Sequence, residues 1–153
     1  MRYIIGVGNA SMSDDGVGLE VVERLAREGL EPGFEAVSIA DEGLRLLSYF
    51  DAGTEKIVIV DAVDMGLEPG AWRVFGPEDV ESGNEAGGLT THEGNVLKVI
   101  ELARRLGTPV PPLVILGIQP GSLGPGLELS PALEQRLETY ARLALEEIRR
   151  DAG

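Results

Sequence analysis

Apolar positions along the chain alternate between two spacings. Tyr3-Ile4-Ile5-Gly6-Val7-Gly8 is a short apolar run that closes on glycines, the pattern of a buried parallel strand. Asn9 to Asp14 is polar and reads as a loop. Val17, Leu19, Val21, Val22 and Leu25 then fall at helical spacing until Gly29 ends the segment. A second strand is predicted over Phe34–Ala40 and a helix from Glu42 to Phe50. Lys56-Ile57-Val58-Ile59-Val60-Asp61 is the clearest buried strand, and it stops on a carboxylate. Pro69-Gly70 signals a turn, and Ala71 to Phe75 alternates as an antiparallel or edge strand would.

Gly76 to Thr91 is poor in apolar residues and rich in Gly, Glu, Ser and Asn. It reads as a long loop, and such loops in compact domains usually serve function. Val96, Leu97, Val99, Ile100, Ala103 and Leu106 mark a helix ending at Gly107. Pro111-Pro112 precedes the strand Leu113–Ile118, and Gly121, Gly124, Pro125 and Gly126 make an irregular loop. Ser130-Pro131 opens the last helix as N-cap and first-turn proline, with Glu134 in the capping-box region. Leu133, Leu137, Tyr140, Ala141, Ala144, Leu145 and Ile148 form its apolar face.

Strands alternating with helices predict an α/β fold: a three-layer α/β/α sandwich with a mostly parallel, twisted five-stranded sheet, the strand near Trp72 being antiparallel. No internal repeat or linker interrupts residues 1–153, so one domain is expected. Composition narrows the function classes. With 13 Lys and Arg against 26 Asp and Glu, the net charge of −13 argues against nucleic acid and against anionic membrane surfaces as partners. Cysteine is absent, which removes disulfides, thiol nucleophiles and thiolate metal sites, and histidine occurs once, at position 92. The apolar N-terminal run is too short for a signal-peptide core and no stretch approaches a membrane span, so a cytoplasmic protein is expected.

In open α/β sheets, ligands lie beyond the carboxyl ends of the strands. Asn9, Asp14 and Asp15 follow the first strand, Asp41 and Glu42 the second, Asp61 and Asp64 the third, and His92 opens a helix. Gly6-Val7-Gly8 with Asp41 partly matches a dinucleotide fingerprint, but Ser11 stands at the third glycine position. Asp14 and Asp15 would also repel a phosphate at the helix start. The same residues suit a divalent transition ion better. Asp15, Asp61 and His92 offer two carboxylates and an imidazole while leaving positions open for substrate. Each has an ordinary alternative role. Asp15 and Asp14 are placed to cap the helix, worth about 0.3–1 kcal/mol, and Asp14 fits the cap better. Asp61 is a solvated strand end, and His92 a surface histidine.

The run Gly6-Val7-Gly8-Asn9-Ala10-Ser11-Met12-Ser13-Asp14-Asp15-Gly16-Val17-Gly18 resembles the N-terminal signature of the hydrogenase maturation endopeptidases. These enzymes trim the C-terminal tail of the large subunit of nickel–iron hydrogenases. Three further segments agree in order: Ile59-Val60-Asp61-Ala62-Val63-Asp64 with Pro69-Gly70; Thr91-His92; and Gly117-Ile118-Gln119-Pro120. The resemblance implies an endopeptidase whose metal ligands are Asp15, Asp61 and His92. Its metal is nickel already inserted in the substrate, for which cadmium or zinc would stand in within crystals. It also implies the hydrogenase large-subunit precursor as partner. Where family members carry an Asp-Gly-Gly-Thr-like turn, this chain has the shorter Ala40-Asp41-Glu42-Gly43, a departure that would mark a subgroup acting on another hydrogenase class.

The chemistry expected is attack of water on one peptide bond, with Asp15, Asp61 and His92 as the catalytic set. The sequence does not single out the general base, for which Asp41 is a further candidate. The segment Gly76–Thr91 is expected to flank the cleft and touch the protein substrate. Two alternatives stay open on sequence alone: a non-catalytic, metal-dependent chaperone or binding module for the precursor, and a Rossmann-like nucleotide-binding enzyme.

Overall fold

The structure, a computed structural model, describes residues 1–81 and 91–151, of residues 80–81 and 91–95 the backbone alone. Five strands form one sheet: β1 (Arg2–Val7), β2 (Phe34–Ala40), β3 (Lys56–Ala62), β4 (Trp72–Phe75) and β5 (Leu113–Ile118). Their order is β2-β1-β3-β5-β4. All neighbours are parallel except β4, which pairs antiparallel with β5. The strand expected to be antiparallel or at an edge is both. β3 is buried along its whole length, as its unbroken apolar run requires, whereas β2 at the opposite edge is largely half-buried or exposed.

Helices α1 (Val17–Glu28) and α5 (Leu137–Arg149) cover one face, where Val21, Val22, Leu25, Tyr140, Ala144 and Ile148 pack on Ile4, Val58 and Val60. Helix α3 (Thr91–Arg105) and the 3-10 segment Gly43–Tyr49 cover the other. There Val96, Ile100, Leu46 and Phe50 meet Ile5, Ile57, Ile59 and Ile115. These are the three expected layers.

Three local expectations are corrected. Glu42 to Phe50 is 3-10 rather than α-helical over Gly43–Tyr49; i→i+3 bonds such as Phe50 N–H to the Leu47 carbonyl let so short a span bury both Leu46 and Phe50. The segment expected to be all loop opens with a short helix α2 (Pro77–Glu81), in which Pro77 supplies a first-turn φ and the Asp79 carboxylate accepts the Gly76 N–H at 2.8 Å; residues 82–90 lie outside the described residues. The last helix is two, α4 (Pro131–Glu134) and α5, because Arg136 N–H bonds the Leu133 carbonyl at i−3 and bends the chain, so that Leu133 and Leu137 both reach the core.

At the amino ends of the strands the termini are tied down. The buried Lys56 Nζ donates to the Glu147 and Arg150 carbonyls, and Arg2 donates to the Ile148 carbonyl at 2.9 Å, so two cations satisfy the last turn of α5. The carboxyl ends, at the opposite edge, carry the polar groups.

Candidate active site

Two glycines set the approach of the first loop to the sheet. A Cβ on Gly8 would collide with the Asp15 carbonyl oxygen, and one on Gly18 with the Val60 carbonyl oxygen. Gly8 also holds φ at 145°, a conformation side chains disfavour. The 3-10 segment Ser13–Gly16, which carries Asp14 and Asp15, therefore packs against β3 just where that strand delivers Asp61. Both site carboxylates are buried, Asp61 fully and Asp15 to 7% exposure. Neither is the solvated terminus that sequence alone left as an alternative for Asp61. Asp15 Oδ2 accepts the Asn9 N–H at 2.9 Å, which closes the loop on itself. Strand alternation puts Asp61 on the same face as Ile57 and Ile59, the face covered by α3.

Helix α3 links the region after β3 to the parallel strand β5, so it runs antiparallel to them and starts at their carboxyl edge. His92 is its second residue, at the edge where Asp15 and Asp61 sit; its side chain lies outside the described residues. Asp41 lies just beyond the edge strand β2 and is exposed. Asp64 is engaged rather than available: its Oδ1 accepts the Gln119 side-chain amide at 3.1 Å and the Gly66 N–H at 3.2 Å, which hold its carboxyl below the usual range. Among the described residues, no cluster of three or more His, Asp or Glu that could hold a metal ion is found.

Asp14 does not cap its own helix. Its carboxylate reaches across to the loop before α4. Oδ2 accepts the Gly121 N–H at 2.7 Å, the Ser122 N–H at 2.9 Å and the Ser130 hydroxyl at 2.6 Å, and Oδ1 accepts the Ser130 N–H at 2.6 Å. Burial pushes this carboxyl up, but the bonds from Ser130, Ser122 and Gly121 together outweigh it and hold it below the ordinary aspartate value. Ser130 does sit at the N-cap with Pro131 at the first position, yet its hydroxyl serves Asp14 and makes no capping bond.

Gln119 plays a matching part on the other side. Buried at the end of β5, it accepts the Met65 N–H at 2.6 Å and the Leu67 N–H at 3.2 Å, and so fixes the loop that follows Asp61. That loop ends at Gly70, whose carbonyl accepts the Tyr140 hydroxyl at 2.6 Å. Sequence reasoning gave no structural role to Gln119 and read Ser130 as a helix cap rather than a partner of Asp14. The available signal was a polar residue directly closing the apolar run Leu113–Ile118.

The first loop is poorly suited to phosphate. Gly8 N–H is taken by the Ala40 carbonyl and Asn9 N–H by the Asp15 carboxylate. Ser11 N–H goes to the Asn9 side chain, Ser13 N–H to the Gly126 carbonyl and Asp14 N–H to the Ser122 carbonyl. A dinucleotide site needs such amides turned toward the ligand. What remains is an edge with two buried carboxylates beside a helix start bearing an imidazole, a donor set that suits a borderline divalent ion.

Residues 19–147 match the family model described as hydrogenase maturation protease, HycI. Among curated relatives, the hydrogenase expression/formation protein HupD of Thiocapsa roseopersicina is 30% identical over 97% of this chain and 71% of its own length. HupD of Bradyrhizobium diazoefficiens is 29% identical over 97% of this chain and 82% of its own. Among solved structures, the hydrogenase maturating endopeptidase HybD from E. coli superposes with a TM-score of 0.82 at 25% identity, covering 97% of this chain and 93% of that one.

Proposed function

The chain belongs to the hydrogenase maturation protease family and is a hydrolase; from that premise we propose that it removes the C-terminal extension of a nickel-loaded hydrogenase large-subunit precursor, with Asp15, Asp61 and His92 gripping the nickel the substrate brings. The observation that carries this reading is the burial of both Asp15 and Asp61 where the first loop packs on β3, with the start of α3 at the same edge.

Nickel here is part of the substrate and acts as a recognition element. Carboxylate oxygens and an imidazole nitrogen fill some of its coordination positions and so register the scissile bond against the enzyme. In the hydrolysis itself, a water oxygen bonds to the carbonyl carbon and the C–N bond breaks. The water's proton passes through a carboxylate to the leaving nitrogen, giving a new carboxyl terminus and a free amine. Asp14 and Gln119 hold the two flanking loops and take no part in the bond changes.

The deciding experiment compares tail release from nickel-loaded and nickel-free precursor by the wild-type chain and by Asp15→Asn. Cleavage of the loaded form alone, lost in the variant, is expected. Equal cleavage of both forms would refute nickel recognition, and binding of the loaded precursor without any shortening would make the protein a binding module instead.

A further inference from the structure

Outside the carboxylate site, a groove of about 520 Å³ lies between α1 and the edge strand β2 and is also lined by Leu127 and Leu129. It reaches the turn that carries Asp15, because Ser13 and Gly16 at the two ends of that turn line it. Its loop wall is ordered: Gly126 N–H bonds the Ser11 carbonyl at 2.9 Å and Ser13 N–H bonds the Gly126 carbonyl at 2.9 Å. That ordered loop nonetheless holds Leu127 82% exposed, against the entropy of water. Glu20 and Glu23 of α1 rim the groove. Glu23 is shared with Arg27, whereas Glu20 makes no salt bridge among the described residues. Among the described strands β2 pairs only with β1, so its outer backbone edge is open to a further strand.

We propose that this groove docks an extended, apolar segment of the precursor that carries Lys or Arg, and so leads the scissile bond to Asp15; this rests on the peptidase reading above. The length fits. The stretch of α1 from Leu19 to Ala26 that lines the groove rises about 10 Å, enough for roughly three residues in strand geometry. Backbone bonds to the β2 edge would hold such a segment, an apolar side chain would cover Leu127 and Leu19, and a cation would meet Glu20. A second copy of this chain fits poorly, since each copy carries a net charge of −13 and would bring its own glutamates to the same rim.

The test uses the full chain and nickel-loaded precursor. Leu127→Asp is expected to raise KM at least ~10-fold with kcat within about twofold of wild type, since it removes one buried leucine contact. Its melting temperature should not change, because the side chain is exposed. Glu20→Lys should raise KM and flatten the rise of wild-type KM with salt. Wild-type KM in both variants would overturn the proposal. Leu127→Asp changing only the sedimentation of the free chain would also overturn it, assigning the groove to self-association. If the wild type does not cleave at all, the peptidase reading fails and precursor binding decides the groove separately. Weaker binding by Leu127→Asp upholds docking, and unchanged binding overturns it.

Discussion

Asp14→Asn offers a quantitative check on the role assigned to the first of the two adjacent aspartates. The native carboxylate accepts four hydrogen bonds, three at Oδ2 and one at Oδ1. An asparagine can keep its oxygen at the Oδ2 position and retain the bonds from Gly121, Ser122 and Ser130 Oγ. Its NH₂ group then faces the Ser130 N–H, two donors without an acceptor. The three retained bonds also change from charge-assisted to neutral and lose roughly half their strength. One bond to a charged group is worth about 1.5–3 kcal/mol, so the lost bond and the three weakened ones together come to at least ~3 kcal/mol. In a chain of this size that lowers the melting temperature by about 6–12 °C. Asp14→Ala, which leaves all four donors bare, should cost ~3–5 kcal/mol.

The effect carries a pH signature of definite sign. Because the native carboxyl is held low, the unfolded chain takes up its proton first. The stabilisation is thus complete above the ordinary carboxylate value of about 3.9 and is lost as pH falls through the lower native value. Thermal melts at pH 7 and across the acid range, followed by circular dichroism, measure both. Asp14→Asn melting within about 1 °C of wild type at pH 7 would refute the assignment, as would a deficit that persists undiminished at the acid end.

Three further outcomes are expected. Gly18→Ala forces a Cβ against the Val60 carbonyl oxygen, with backbone on both sides to move, so it should destabilise by about 3 kcal/mol or fail to fold; a urea midpoint near wild type would contradict that close approach. Lys56→Met keeps the buried stem but strips the donors from the Glu147 and Arg150 carbonyls; it should cost about 1–3 kcal/mol in chemical denaturation and leave kcat unchanged, because it lies at the edge of the sheet away from Asp15. On the proposed nickel grip, His92→Ala should abolish precursor processing, and wild-type processing should fall as pH drops toward and below the free imidazole value of about 6.5, since protons would compete with the metal for the nitrogen; processing that is indifferent to both would remove His92 from the proposed site.

The sheet and its three layers were readable because each depends on local pattern. β3 announced itself by an unbroken apolar run, α1 by its spacing, and β4 by the short Pro69-Gly70 turn that leaves no room for a crossover. The positions of Asp15 and Asp61 followed from fold class, since Asp15 lies in the turn after β1 and Asp61 next to the end of β3, both at the carboxyl edge. The two cap misreadings share one cause. Ser130-Pro131 and Asp14 both look like helix caps in a local window, yet they bond to each other across 116 residues of chain. A helix-start pattern cannot reveal that its hydroxyl is already committed elsewhere. Ala40 sits at φ 52°, and its carbonyl accepts the Gly8 N–H at 2.9 Å. A left-handed alanine costs about 1–2 kcal/mol, and the contact between the β2 and β1 ends compels it.

The two consecutive aspartates show how position, rather than residue type, separates scaffold from proposed site. They share one 3-10 turn and near-identical burial, so composition, spacing and exposure cannot tell them apart. Their bonding can. Asp14 turns toward the loop before α4, where four donors take both its oxygens and hold its charge in place. Asp15, one residue on, turns toward Asn9 and the carboxyl end of β3, the direction from which Asp61 and the start of α3 arrive. The knot made by Asp14 fixes the turn from which Asp15 projects, so the two roles are coupled mechanically while remaining chemically distinct. Asp14→Asn should therefore lower stability at every substrate concentration, whereas Asp15→Asn should remove processing from a chain that still melts as a folded protein. A reversal of those two phenotypes would mean that the carboxylates have been assigned the wrong way round.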